Sequence, residues 1–260
     1  MGGAWSTYHD VANWKSHALA DAAPVPPSEC GSPEGVKFTL DGTKSRYADT
    51  YEWTWEGNNA TSGAEPKVII YPDLASDGTV TDVTEIVVTL TVDLKDGIPD
   101  SEGPKDPLWS EYSKDKDDVT ITMFPDLVPP VITGRTEPMF MWPPKHQYLT
   151  FRVEDFVYSV SDNCADLSLD DLVISQVTSD EPENAISDGD TINDIVIAPD
   201  GRSVNLRAER QGGGNGRVYT LTVVAEDKNK NVGKRSFQVI VPVSKKDDVV
   251  DDGPNYSVTF

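Results

Sequence analysis

Cysteine, histidine and positive charge are all scarce in this chain. Among its 260 residues are two cysteines, three histidines, and 22 basic residues against 44 acidic ones. Two cysteines, Cys30 and Cys164, are too few for a disulfide scaffold and have no metal-site spacing. A single bridge between them would close a long loop, worth roughly 4 kcal/mol. The histidines are His9, His17 and His146, and no serine or cysteine sits in a recognisable nucleophile motif. No catalytic set is therefore expected, and the chain reads as a non-enzyme. A formal charge of −22 repels phosphate backbones and anionic lipid, which excludes nucleic acid and membrane surfaces as partners. The same charge favours hydrated multivalent cations, calcium above all. No run approaches the ~18 apolar residues of a membrane helix, so no membrane insertion is expected. The first eight residues lack the basic start and apolar core of a signal peptide. The expectation is a mature form, or an excised fragment, of an exported protein.

The chain does have period-two alternation, repeated many times. Val36-x-Phe38-x-Leu40 stops at Asp41-Gly42, and Tyr51-x-Trp53-x-Trp55 stops at Gly57-Asn58-Asn59. Val68 to Ile70, Ile86-x-Val88-x-Leu90-x-Val92 and Val119-x-Ile121-x-Met123 follow. Short strands separated by turn signals predict a β-sandwich. Pro125, Pro129 and Pro130 then interrupt the pattern, since proline lacks a ladder donor, and mark a domain boundary. Beyond it, Leu149-x-Phe151-x-Val153 and Phe156-x-Tyr158-x-Val160 alternate one residue out of phase, which predicts a β-bulge across Glu154-Asp155. Strands over 172–177, 192–197, 203–208, 219–225 and 237–243 complete a second sandwich. The fold class is all-β: two tandem immunoglobulin-like β-sandwiches over 34–128 and 129–243. An arm over 1–33, helical across 10–23 and then proline-rich, precedes them. An acidic tail over 244–260 follows, ending in an alternating strand, Tyr256-x-Val258-x-Phe260. That strand is expected either to fold back or to pair with a neighbour's sheet edge as an assembly strand.

Calcium takes six to eight oxygens, so the carboxylate-dense loops are the candidate metal ligands. The first set is Asp162, Asn163, Glu181, Glu183, Asp188, Asp190, Asp194, Asp227 and Asn229, on loops expected to converge at one end of the second sandwich. A weaker set is Asp93, Asp96 and Asp100, which lacks the order of a helix-loop-helix calcium site. Arg207 and Glu209 alternate onto one face and read as a structural charge pair. The run Gly212 to Gly216 has strands on both sides rather than a following helix, which predicts a hairpin turn and not a phosphate loop.

Leu40-Asp41-Gly42-Thr43-Lys44-Ser45, Tyr51-Glu52-Trp53-Thr54-Trp55 and Val88-Thr89-Leu90-Thr91-Val92 resemble a PKD (polycystic kidney disease) domain over about 34–124. The resemblance implies that the first motif is a turn and the central tryptophan lies between two sheets. Residues 129–243 are similar to bacterial Ig-like modules related to the HYR (hyalin repeat) family. The matching segments are Trp142-Pro143-Pro144-Lys145-His146, Asp162-Asn163-Cys164, Ser179-Asp180-Glu181-Pro182, Gly189-Asp190-Thr191, Leu206-Arg207-Ala208-Glu209-Arg210 and Gly214-Asn215-Gly216-Arg217-Val218-Tyr219. This resemblance implies a repeat unit of a secreted or surface-anchored protein. Trp14-Lys15-Ser16-His17-Ala18 weakly resembles a stretch of multihaem cytochromes in which the histidine is a distal haem ligand, which would make His17 a ligand in trans. With no Cys-x-x-Cys-His, the chain attaches no covalent haem itself.

The expectation is thus an extracellular structural or adhesive module, stiffened by calcium, whose partners are other protein subunits or surface polymers. Two alternatives stand beside it. One is a polysaccharide-binding accessory module using Trp5, Trp14, Trp109 or Trp142. The other is a subunit or coat of an extracellular filament, cytochrome-associated and joined by strand exchange.

Overall fold

A computed structural model describes residues 18, 20–24, 30–45, 48–57, 59–93, 114–184, 189, 191–245 and 249–260. It divides into two compact units, residues 1–126 and 127–260, two residues ahead of the boundary expected from the prolines.

In the first unit, apolar residues at every second position give strands with one buried face. The strands are β1 (Asp21–Pro24), β2 (Cys30–Gly31), β3 (Val36–Asp41), β4 (Thr50–Trp55), β5 (Asn59–Ser62), β6 (Lys67–Ile70), β7 (Thr84–Asp93) and β8 (Lys114–Pro125). They form a three-stranded sheet, β1-β3-β6, and a five-stranded one, β2-β8-β7-β4-β5. Leu40, Trp53, Val88, Leu90, Val92 and Met123 are all buried in one core. Trp53 lies at its centre, and its indole N–H donates to the Gly63 carbonyl at 3.0 Å.

The arm departs from its sequence reading. Asp21 to Ala23, read as the end of a helix, belong to β1 and pair antiparallel with β3. Ala18 and Ala20 donate backbone N–H bonds to the Asp115 and Asp117 carboxylates of β8, at 3.0 and 2.8 Å. Alternation puts those two carboxylates on the same side of β8, where together they secure the incoming chain. Docking onto an open sheet edge outweighs the helix preference of alanine. The first sandwich therefore includes Ala18, residues 20–24, Cys30 and Gly31, which the sequence assigns to the arm.

The second unit contains β9 (Val131–Gly134), β10 (Met139–Phe140), β11 (Tyr148–Arg152), β12 (Val157–Ser161), β13 (Leu172–Ser179), β14 (Ile195–Ile197), β15 (Ser203–Arg207), β16 (Arg217–Glu226), β17 (Val232–Val241) and β18 (Tyr256–Thr259). One sheet runs β10-β17-β16-β13-β18, while β9 pairs with β12 and β11-β15-β14 pair together. Both units split their opening strand in the same way. The first piece pairs antiparallel (β1 with β3, β9 with β12) and the second runs parallel to the last long strand (β2 with β8, β10 with β17).

The phase slip at Glu154-Asp155 is a single helical turn, α1 (Val153–Phe156), where a bulge was expected. Val153 and Phe156 are three residues apart on that turn, and both point into the core. Asp155 closes the turn by accepting the Arg152 N–H at 2.7 Å. Close approaches also fix two glycines. A Cβ on Gly233 would sit 1.9 Å from the Pro130 carbonyl oxygen, and one on Gly134 would sit 2.3 Å from that of Phe156. The run Gly212 to Gly216 is no hairpin. It carries the chain from β15, in the β11-β15-β14 sheet, across to β16 in the other.

The terminal strand folds back in cis. β18 pairs antiparallel with β13, from Ser179 opposite Tyr256 to Gln176 opposite Thr259. Tyr256 and Val258 pack on the core, while Phe260 is more than half exposed. The free assembly strand is thus occupied within its own unit, because the edge of β13 otherwise offers unpaired backbone groups.

Candidate functional site

The unusual chemistry of the second unit begins at the start of β16. Arg217 is the first residue of a strand whose next two positions are also buried, and its side chain has no exposed surface. A guanidinium in that position requires partners for all its donors. Nε donates to Glu181 at 3.0 Å, one terminal nitrogen to Asp194 at 2.5 Å and to the Tyr219 hydroxyl at 3.0 Å, and the other to the Pro182 carbonyl at 3.0 Å. The Tyr219 hydroxyl in turn donates to the Arg207 carbonyl at 2.9 Å, tying β16 to the end of β15.

Further charged groups lie against this clamp. Arg207 lies 3.4 Å from Asp194 and 3.8 Å from Glu209, and its guanidinium stacks over the Tyr148 ring at 4.2 Å. Glu209 is fully buried, accepts from the Thr191 hydroxyl at 2.6 and 2.7 Å, and meets His146 Nδ1 at 3.0 Å. Arg207 and Glu209 do form the expected charge pair, now as part of a larger network. Two arginines, with His146 at the edge, face the carboxyls of Glu181, Asp194 and Glu209, a crowding that favours a proton on one of the three. Burial pushes the Asp194 carboxyl up to about 7, helped by the adjoining Glu209 carboxyl and opposed by Arg217.

This proton has a measurable consequence. Asp194 has a folded pKa raised above the ordinary 3.8. Its contribution to stability is therefore complete below the unfolded value and is lost as pH rises through about 7. Asp194→Asn should remove that slope. The change in urea midpoint of the second unit between about pH 5 and about pH 8 is expected to shrink relative to the unaltered chain. An unchanged difference would put the proton elsewhere.

The candidate calcium ligands do not meet as one set. Glu181 and Asp194 are held by Arg217. Glu183 accepts the Asn193 N–H at 2.8 Å and the Tyr256 hydroxyl at 2.9 Å, near the same end of the unit. Asp162 accepts the Cys164 and Ala165 N–H groups at 2.8 Å, and Asp227 holds Asn231 through backbone and side chain at 2.9 and 2.8 Å. Asp227 and Asn229 follow the far end of β16, and Asp162 and Asn163 precede β13, whose start faces Ala225. Ten residues of β16 separate that end from Arg217, a distance of about 30 Å. The expected convergence fails because these loops leave opposite ends of the strands. In the weaker set, Asp93 ion-pairs with Lys114 at 3.5 Å. Asp96, Asp100, Asp188, Asp190 and the haem candidate His17 lie outside the described residues.

Cys30 and Cys164 are both disulfide-bonded. Trp53 is buried and Trp55 packs beside it, whereas Trp142 is 38% exposed. Trp5, Trp14 and Trp109 lie outside the described residues. Sequence reasoning missed Arg217, Tyr219 and Thr191 as members of the network. The available signal was an arginine directly preceding the apolar pair Val218-Tyr219, a position where a charge demands carboxylates.

These features define a class, an all-β protein of immunoglobulin-like sandwiches whose most buried charges are bound to one another. No family model and no curated protein matches the chain. Among solved structures it is similar to the extracellular cadherin domains 3–6 of protocadherin gamma B2, with 13% identity over 86% of this chain and 51% of that one and a TM-score of 0.28. It is also similar to the protocadherin gammaB7 EC3-6 cis-dimer, with 15% identity over 87% and 50% and a TM-score of 0.27. The chain spans about half the length of both cadherin chains. With overlaps this low, the all-β assignment rests on the strands of this chain alone.

Proposed function

We propose that the chain is a non-catalytic extracellular module that spaces and joins other proteins. The observation that carries this reading is the Arg217 clamp. Its charged groups are buried and spent on each other, which serves rigidity rather than turnover. The disulfide-bonded state of both cysteines supports an oxidising compartment, hence secretion or surface display. In this reading the first unit is PKD-like and the second HYR-like, as their motifs imply. Calcium enters as a stiffener where carboxylates are not already taken by arginine, which favours the end of the second unit bearing Asp162, Asn163, Asp227 and Asn229. A filament subunit or coat is the second reading, favoured by the tail strand that completes the β13 edge.

Stretching the full chain between its ends with its disulfide reduced, in calcium and again in excess chelator, tests both parts. Two separate unfolding events are expected, with lower force for the second unit in chelator. A chain that lengthens without resisting force overturns the spacer role. Equal forces in the two buffers remove calcium and leave the spacer.

A further inference from the structure

We propose that the outer edge of β13 is an acceptor slot for the tail strand of a second copy of this chain, and that the cis-docked tail is its closed form. This deepens the assembly role proposed above and rests on it.

The slot is specific in backbone and side chain. Besides the ladder from Gln176 to Ser179, the Asn255 N–H donates to the Ser179 carbonyl at 2.8 Å, and the Phe260 N–H donates to that of Ser175 at 3.0 Å. Tyr256 and Val258 enter the core on alternate positions, and the Tyr256 hydroxyl reaches Glu183. Phe260 lies against Gly201, where a Cβ would come within 3.1 Å of the ring. The ligand chemistry is therefore an extended peptide of pattern Tyr-x-Val-x-Phe, which the chain itself carries at 256–260.

The tether is longer than cis docking requires. Val241 ends β17 opposite Arg217, and two residues further along β16 Tyr219 faces Ser179, which faces Tyr256. The end of β17 and the start of β18 are thus three strand spacings apart at one end of the sheet, about 14 Å. The fourteen residues 242–255 between them reach about 46 Å when extended. Such slack lets the tail leave its own unit and enter a neighbour's.

The crossing itself is held by polar contacts at the surface, Gln238 to Asp251 and Asn215 to Asp252, each at 3.0 Å. It also sets like charge against like. Burial pushes the Asp180 carboxyl up to about 6, with the Glu181 and Asp251 carboxylates adding to the effect. In dilute solution the tether gives the cis tail an effective concentration on the order of millimolar, so the closed monomer prevails there. Crowding, or a shorter tether, favours exchange. Reciprocal exchange closes a two-fold pair, and unreciprocated exchange propagates a chain of copies.

The test removes residues 243–254 from the full chain, leaving two linking residues with a reach of about 10 Å between the strand ends, too short for cis docking. Light scattering after gel filtration should give at least twice the monomer mass for the shortened chain, and the monomer mass when it also carries Val258→Asp. A monomeric shortened chain overturns the slot, as does an oligomer indifferent to Val258→Asp. A second measurement avoids the deletion. A fluorescent peptide of residues 254–260 should bind saturably to the full-length chain carrying Val258→Asp, whose own tail no longer fits. The same peptide with aspartate at its valine should not bind. Absence of binding, with resistance to stretching intact, removes the slot and leaves the spacer role standing.

Discussion

Arg217→Met should destabilise the second unit by about 3–5 kcal/mol, the usual cost of breaking a buried ion pair from one side. For a unit of this size that corresponds to a melting temperature lower by roughly 10–20 °C. The loss arises less from the missing attraction than from what is left behind. Glu181 and Asp194 remain buried without their cation, and the Pro182 carbonyl and Tyr219 hydroxyl lose a donor. Asp194 limits the damage by holding its proton more tightly, since its carboxyl already lies near 7 beside Arg217. Arg217→Lys should recover less than half, because an ammonium cannot match the planar fork that meets Glu181, Asp194 and Pro182 together. Replacing Arg217, Glu181 and Asp194 together by apolar residues should regain most of the loss. It should not regain all, because Glu181 also accepts the Gln211 N–H at 2.7 Å, which would be orphaned. Thermal unfolding followed by circular dichroism checks the series, with the transition of the first unit as an internal reference. An Arg217→Met chain as stable as the unaltered one would show that the clamp holds nothing together.

The parts of the molecule readable from sequence are those in which one strand reports its own environment. In β7 the buried run Ile86, Val88, Leu90, Val92 alternates with more exposed residues because one face meets the core. β13 and β16 announce themselves in the same way. Strands of two to four residues, such as β2, β5 and β10, are too short to show a period, and only their partners make them strands. Residues 21–24 show the opposite error, since alanine favours a helix in isolation and the open edge of β3 overrides it. The candidate metal set failed for a further reason. Composition shows that loops are acidic, but which loops share an end depends on strand order and direction, and these separate Asp227 from Glu181 by the length of β16. The arginine that claims Glu181 and Asp194 lies 36 and 23 residues away in sequence, so no local pattern joins them.

The comparable test in the first unit is Trp53→Ala, expected to cost about 3–5 kcal/mol through lost burial and the cavity left behind. Trp53→Phe should cost less, yet it still strands the Gly63 carbonyl that accepts the indole N–H. The more discriminating variant is at Gly42, in the Asp41-Gly42-Thr43 turn. Asp41 fixes that turn by accepting the Thr43 N–H and hydroxyl at 2.8 and 2.6 Å. A Cβ on Gly42 would lie 3.2 Å from the Trp53 ring and 3.1 Å from both Leu90 and Tyr51. Turn and tryptophan are thus one packing unit: the glycine leaves the volume that the ring occupies. Gly42→Ala alone should therefore destabilise the first unit by about 1–3 kcal/mol through overpacking. With Trp53→Ala already in place, the same methyl enters empty space and should cost little, giving a coupling of about 1–2 kcal/mol in a double-mutant cycle. Urea unfolding of the four chains, followed by circular dichroism, measures it. Strict additivity would mean that the turn and the core tryptophan pack independently, and that the Leu40-Asp41-Gly42 motif shapes only the loop.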